Sequence, residues 1–328
     1  MMKRRLQRAS LYLSCVLAFA AAGQLSAAPL DQRHAAIDRA LAFLYTTASE
    51  DKVFESQGSD LLWCFYTISH TARDRQLRET AGRMGRELAV RWRTAHNHVP
   101  ENAKTPEIYD LVLGAYAAER LGLPDPGFKT ELRAAAGRFS AIDFLGFDAP
   151  NHGPALDDPQ RYDKYSGALI KTFFGDAYGV PLGASYADVL QWLPQLRPYD
   201  GHDEDMEFDI FYAITHVIYT LDAYHEHRIA ASLLPQEIQF LRQRLEMAID
   251  DEDPEQVGEA IDCLKAAGYG KDAQVKKGME YLVSSQRPDG AWAGDHDDVY
   301  TQYHSAWTGI DGLREYRFHG KVKRLPKN

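Results

Sequence analysis

The chain has 328 residues, 45% of them hydrophobic, and a formal net charge of −10 at pH 7. So acidic a chain disfavours nucleic acid, anionic membranes and polyanionic substrates unless a local basic patch intervenes. The apolar share over this length supports a sizeable buried core.

Residues 1–28 read as a secretory signal peptide. Lys3, Arg4, Arg5 and Arg8 form a basic start, Leu11 to Ala22 an apolar run, and small residues end near Ala28. The apolar run is too short for a comfortable span, and no later run reaches membrane length, so no stable membrane span is expected. The mature protein, residues 29–328, is expected to be secreted, to a bacterial periplasm, as a single domain. Two cysteines survive cleavage, Cys64 and Cys263. In an oxidising compartment they either pair or stay as buried free thiols.

Strand patterns are nearly absent and helical periodicity runs almost throughout. Breaks at Gly, Pro and acidic loops divide the chain into helix pairs about every 45–55 residues. The first helix of each pair is amphipathic and reads as outer: Gln32–Thr47, Arg75–Thr94, Lys129–Phe139, Tyr186–Leu196, Gln236–Ile249 and Ala273–Ser285. The second is apolar or small nearly all round and reads as inner: Asp60–His70, Ile108–Arg120, Tyr165–Phe174, Asp209–Tyr224, Val257–Ala267 and Tyr300–Tyr316. Six outer and six inner helices in alternation predict an all-α fold, an (α/α)6 toroid with a ligand-sized lumen. Residues 149–164, with three prolines, predict an irregular insert over one mouth.

Chemistry concentrates on two inner helices. Asp209, Tyr212 and His216 spell Asp-x-x-Tyr-x-x-x-His, and Asp297, Tyr300 and His304 spell it again. Positions i, i+3 and i+7 share one helix stripe, so carboxylate, phenol and imidazole point the same way. Neutral imidazole ligates zinc or copper, and carboxylates complete or orient such sites. The alternative is a pair of buried, hydrogen-bonded structural histidines. Asp60, Trp63 and Cys64 on the first inner helix partly echo the stripe. His225 and His227 read either as a surface metal pair or as histidines favoured by a helix C-terminus. There is no Gly-x-Ser-x-Gly elbow and no His-Glu-x-x-His.

The segment Gly278–Trp292, GMEYLVSSQRPDGAW, resembles the glutamine–tryptophan repeat of the terpenoid cyclase and protein prenyltransferase superfamily, with Gln286, Asp289, Gly290 and Trp292 in place. The resemblance implies the toroid fold, with Gln286 holding adjacent helix ends and Trp292 packing on the turn. Tyr303-His304-Ser305 resembles a stretch of prenyltransferase β subunits in which the histidine binds zinc, which implies His304 as a ligand. Cys263, directly preceded by Asp262, is the position this resemblance offers for a further ligand. Asp295-His296-Asp297-Asp298 has the form of the acid motif of class II terpene cyclases; acidic helix caps are the simpler reading.

The function expected is a metal-dependent lumen enzyme. His216, His304 and Cys263 are its candidate ligands for a divalent metal, zinc or copper. Asp209 and Asp297 are its candidate catalytic carboxylates, with Tyr212 and Tyr300 orienting substrate or donating protons. Two other readings stay open: a carbohydrate hydrolase or lyase using two lumen carboxylates, and a non-enzymatic binding toroid. The partner is a small-molecule, peptide or glycan ligand in the lumen.

Overall fold

A computed structural model describes residues 30–199, 204–294 and 296–326. The proposed signal peptide, residues 200–203 and Asp295 lie outside the described residues.

The fold is all-α. In chain order it runs α1 (Leu30–Ser49), α2 (Asp51–Thr71), α3 (Arg75–Ala95), α4 (Thr105–Arg120), α5 (Pro126–Ala136), α6 (Ala141–Leu145), α7 (Arg161–Tyr178), α8 (Tyr186–Leu190) and α9 (Glu204–Leu221). A short strand β1 (His227–Ile229) precedes α10 (Pro235–Asp250), α11 (Pro254–Ala266), α12 (Ala273–Ser285) and α13 (Val299–Leu313), and β2 (Gly320–Val322) ends the described chain's regular structure. Local chemistry sets many of the starts. Asp74, Asp125, Asp253 and Asp298 each accept a backbone N–H as N-caps of α3, α5, α11 and α13. Ser140/Asp143 and Ser185/Asp188 form capping boxes on α6 and α8.

The two helix classes separate by burial. Every residue of α11 from Gln256 to Ala266 is buried, whereas α10 buries one stripe, Glu237, Ile238, Leu241, Leu245 and Ala248. Contacts between the buried helices run in a closed cycle: α2, α4, α7, α9, α11 and α13 each touch the next, and α13 returns to α2. The amphipathic helices flank this cycle. α1 packs on α13 and α2, α3 on α2 and α4, α10 on α9 and α11, and α12 on α11 and α13.

The structure departs from the predicted elements at several places. The first inner helix, predicted to start at Asp60, starts at Asp51. The third outer helix begins three residues early, because Asp125 caps it and Pro126 occupies its first turn. The fourth shrinks to five residues, followed by a 3-10 turn at Leu193–Leu196. The last inner helix stops at Leu313. The chain then runs as a strap whose β2 pairs in parallel with β1, His227 opposite Gly320. Three-residue strands carry no alternating pattern for a sequence reading to find.

The segment after α12 joins the two ends of the cycle. Gln286 Nε2 donates to the Ala36 carbonyl of α1 at 2.9 Å and to Gly290 at 3.0 Å, and Arg39 donates to Gln286 Oε1 at 2.6 Å. Trp292 Nε1 donates to the Leu282 carbonyl at 2.8 Å. Gly290 has φ +99°, and a Cβ there would collide with the Arg39 carbonyl. Gly290→Ala is expected to cost about 2–4 kcal/mol, from left-handed strain plus forced separation of α1. A urea denaturation midpoint checks this, and an unchanged midpoint contradicts it.

Candidate functional site

Helices α11 and α13 cross at nearly bare backbone. A Cβ on Gly258 would sit 2.5 Å from the Thr308 carbonyl. This close approach brings Glu255 and Glu259 of α11 against His304 of α13. His304 Nδ1 lies 2.9 Å from Glu255 Oε1, and Nε2 lies 4.0 Å from Glu259 Oε1. Tyr300 stacks on the imidazole at 4.8 Å.

Glu259, Tyr300 and His304 line one wall of a cavity of about 100 Å3 among the buried helices. Tyr300, in the first turn of α13, is 40% exposed and marks the open end. His225 and Asp311 line the opposite end. The remaining wall is largely aromatic: Trp63, Tyr109, Phe174, Tyr212, Tyr219, Tyr224 and Trp307. Trp63 stacks on Tyr116 at 5.5 Å and meets Phe174 and Tyr224 edge-on, which fixes it in place.

The two stripe histidines carry different charge. His216 Nδ1 is 2.8 Å from the Tyr212 carbonyl. A carbonyl only accepts, so that nitrogen holds the proton and Nε2 carries the lone pair. Burial drives this imidazole down to about 4, so it is neutral at pH 7. Burial pulls His304 down too, but Glu255, Glu259 and Asp60 outweigh it and lift it to about 9. Beside it Glu259 is pushed up to about 8, chiefly by burial, with Glu255 adding to the rise and His304 opposing it. Its Oε2 has no hydrogen-bond partner. At neutral pH the wall thus presents a bare imidazole, an imidazolium and an un-ionised carboxylic acid. On the neighbouring helix α2, Asp60 accepts a hydrogen bond from Tyr303 of α13 at 2.8 Å and is raised by burial.

The floor is a separate ion network. After α9 the chain makes a left-handed turn through Ala223, Tyr224 and His225, with φ of 56°, 52° and 69°. Such φ values are costly for side chains with a Cβ. The turn swings His225 between two buried carboxylates, with Nδ1 2.8 Å from Asp222 and Nε2 2.7 Å from Asp262. Burial disfavours its charge, yet the two carboxylates raise it to about 10. Arg314 pairs with Asp311 at 2.6 Å and reaches Thr71 at 2.8 Å. Lys265 is tied to the Gly312 and Arg314 carbonyls.

Of the residues singled out in the sequence, Tyr212, His216, Tyr300 and His304 meet at the cavity. Asp209 and Asp297 are not in its lining. Asp209 lies near the start of α9, a turn before Tyr212, and Asp297 accepts the Gly294 N–H at 2.8 Å in the loop before α13. Asp298 caps α13, as acidic residues at helix starts do. Cys263 also misses the lining. Its thiol lies 3.9 Å from the Thr215 carbonyl, buried between α11 and α9, and burial raises its pKa. Both described cysteines are free. His225, read as a helix-end or surface histidine, is buried.

Of the donors proposed for zinc or copper, His216 and His304 line the cavity and Cys263 does not. His304 faces carboxylates with both nitrogens and is cationic at neutral pH. Among the described residues no three His, Cys, Asp or Glu side chains form a metal-ligand group. No described helix is long and apolar enough to cross a membrane. The residues that sequence spacing missed are Glu255 and Glu259. The available signal was an acid at position 259 flanked by Gly258 and Ala260 in a buried helix, where a lone charge is expensive.

Comparison of the chain with protein-family models, with curated proteins and with solved structures found no match.

Proposed function

We propose that the closed cycle of helices is an α/α toroid, and that its lumen is the acid–base site of a carbohydrate-active hydrolase or lyase. One observation carries the reading. A carboxyl group that keeps its proton at pH 7, Glu259, shares an aromatic-walled cavity with a neutral imidazole, His216, whose Nε2 lone pair is uncommitted. Two titratable groups pushed in opposite directions are the ordinary preparation for general acid–base work. Glu259 gives its proton to the leaving oxygen of a glycosidic bond. His216 Nε2 takes a proton from water or from the sugar ring. His304, held cationic by Glu255, lies 4.0 Å from Glu259 and stabilises the carboxylate that forms once the acid has given up its proton. Tyr and Trp rings offer flat faces for a sugar. The carboxyl-rich wall disfavours anionic substrates such as diphosphates.

The reading predicts a bell-shaped pH dependence of kcat/KM on a neutral glycan. Activity rises as pH climbs through about 4, where His216 loses its proton, and falls through about 8, where Glu259 loses its own. Assays of new reducing ends or of unsaturated products separate hydrolysis from elimination. A profile flat from pH 4 to 9 would falsify the acid–base assignment.

A metal-dependent reading draws on one observation as well: His216 and Glu259 line the same cavity, and Glu259 Oε2 has no hydrogen-bond partner. It requires turnover to be abolished by chelators and restored by zinc or copper. The acid–base reading requires turnover in chelator to be unchanged.

A further inference from the structure

On the same cavity as Glu259 stands a carboxylate that the proposed reaction does not use. Asp60 lies on the cavity face of α2 and is only partly buried, so a ligand can reach it. Tyr303 donates a hydrogen bond to one of its oxygens. The phenols of Tyr109, Tyr212, Tyr224 and Tyr300 line the same cavity of about 100 Å3 as Asp60, and its charge adds to burial in raising the pKa of each. The described cation that draws on Asp60 is His304, whose Nδ1 is already 2.9 Å from Glu255. Asp60 thus shares a tyrosine-lined cavity, and among the described residues no guanidinium or ammonium pairs with it.

A carboxylate framed by aromatic rings is the chemistry that holds an organic ammonium. The ion pair and the ring quadrupoles both favour positive charge, and a desolvated cation–π contact adds about 2 kcal/mol or more. A neutral hydroxyl in the same place gains a hydrogen bond but neither of those contributions.

We propose that Asp60 and its tyrosine ring form a subsite for a cationic nitrogen, so that the sugar taken into this lumen is an amino sugar. The inference rests on the glycan reading for its choice of a sugar ring. The cation site itself stands on Asp60 and the four phenols.

Glucosamine and glucose differ at one position, an ammonium against a hydroxyl, and serve as the probe pair. In titration calorimetry at pH 6, wild-type protein is expected to bind glucosamine at least tenfold more tightly than glucose. Asp60→Asn keeps the hydrogen bond from Tyr303 and removes the charge, and should bring the two sugars within about twofold of each other. Its unfolding midpoint should not fall, because the amide keeps the Tyr303 hydrogen bond and removes a charge that the surrounding protein disfavours. Tyr109→Phe, which keeps the ring, should retain the preference. Equal binding of the two sugars, tighter binding of glucose, no binding of either, or a preference that survives Asp60→Asn overturns the proposal. Hydrolysis of neutral glycans without any preference for amines sinks the cation subsite and leaves the acid–base reading intact. Amine-selective binding with no turnover does the reverse.

Discussion

Replacing His225 with alanine is expected to destabilise the protein by about 3–5 kcal/mol, the usual cost of breaking a buried ion pair from one side. The imidazole, Asp222 and Asp262 are almost wholly inaccessible, at 2%, 0% and 0% exposure. Without the cation, two carboxylates face each other with Arg314 as the nearest positive charge to Asp262. Against a total stability of about 5–15 kcal/mol for a typical protein, this is a large fraction. The pH dependence fixes the mechanism. A histidine whose folded pKa is raised stabilises fully below its unfolded pKa of about 6.5, and that contribution is lost as pH rises through the folded value, here about 10. Urea midpoints of wild type and His225→Ala should therefore differ most at pH 6 and draw together toward pH 10. Adding Asp222→Asn and Asp262→Asn to the alanine variant should recover much of the loss. A penalty under about 1 kcal/mol at pH 6 would mean that the network contributes little.

Glu259→Gln is expected to lower kcat by about 10²- to 10⁴-fold, the range that positioned proton transfer supplies. KM should change little, because the amide fills the same space beside His304. Stability should move the other way. The folded pKa of Glu259 is raised to about 8 from an ordinary carboxyl value near 4.5. Burial of the acid is therefore free of charge below about 4.5, and stability is lost as pH climbs from there through about 8. Glutamine has no proton to lose, so at pH 9 the variant should melt above wild type while remaining inactive. Full activity in Glu259→Gln would remove the acid from the mechanism, and a lower melting point at pH 9 would contradict the assigned charge state.

The helical classes were legible because burial on one side or on all sides writes different periodicities. The six fully apolar segments coincide with α2, α4, α7, α9, α11 and α13 to within a few residues at most ends. Two of the three positions of each polar stripe were legible too. Tyr212 with His216, and Tyr300 with His304, lie a turn apart and face inward together. The stripe failed at its acidic ends. A residue three positions before an inward tyrosine sits in the first turns of the helix, where Asp297 serves the loop and Asp298 the cap. Glu255, Glu259 and Asp60 were harder to see as a set, because they meet His304 across helix crossings. Spacing along a chain says nothing about which helices touch. His225 depended on a left-handed turn of Ala, Tyr and His, residues that do not announce that conformation.

The Gln286 clasp onto α1 has a temporal consequence. It ties partners 250 positions apart, between the segment after the twelfth helix and the first helix of the described chain. A ribosome emits the first helix long before its far neighbour exists, so that flank of α1 stays bare until nearly all of the chain has been synthesised. Sealing the circle is a long-range event paid in chain entropy, and the newborn polypeptide passes most of its synthesis as an open arc.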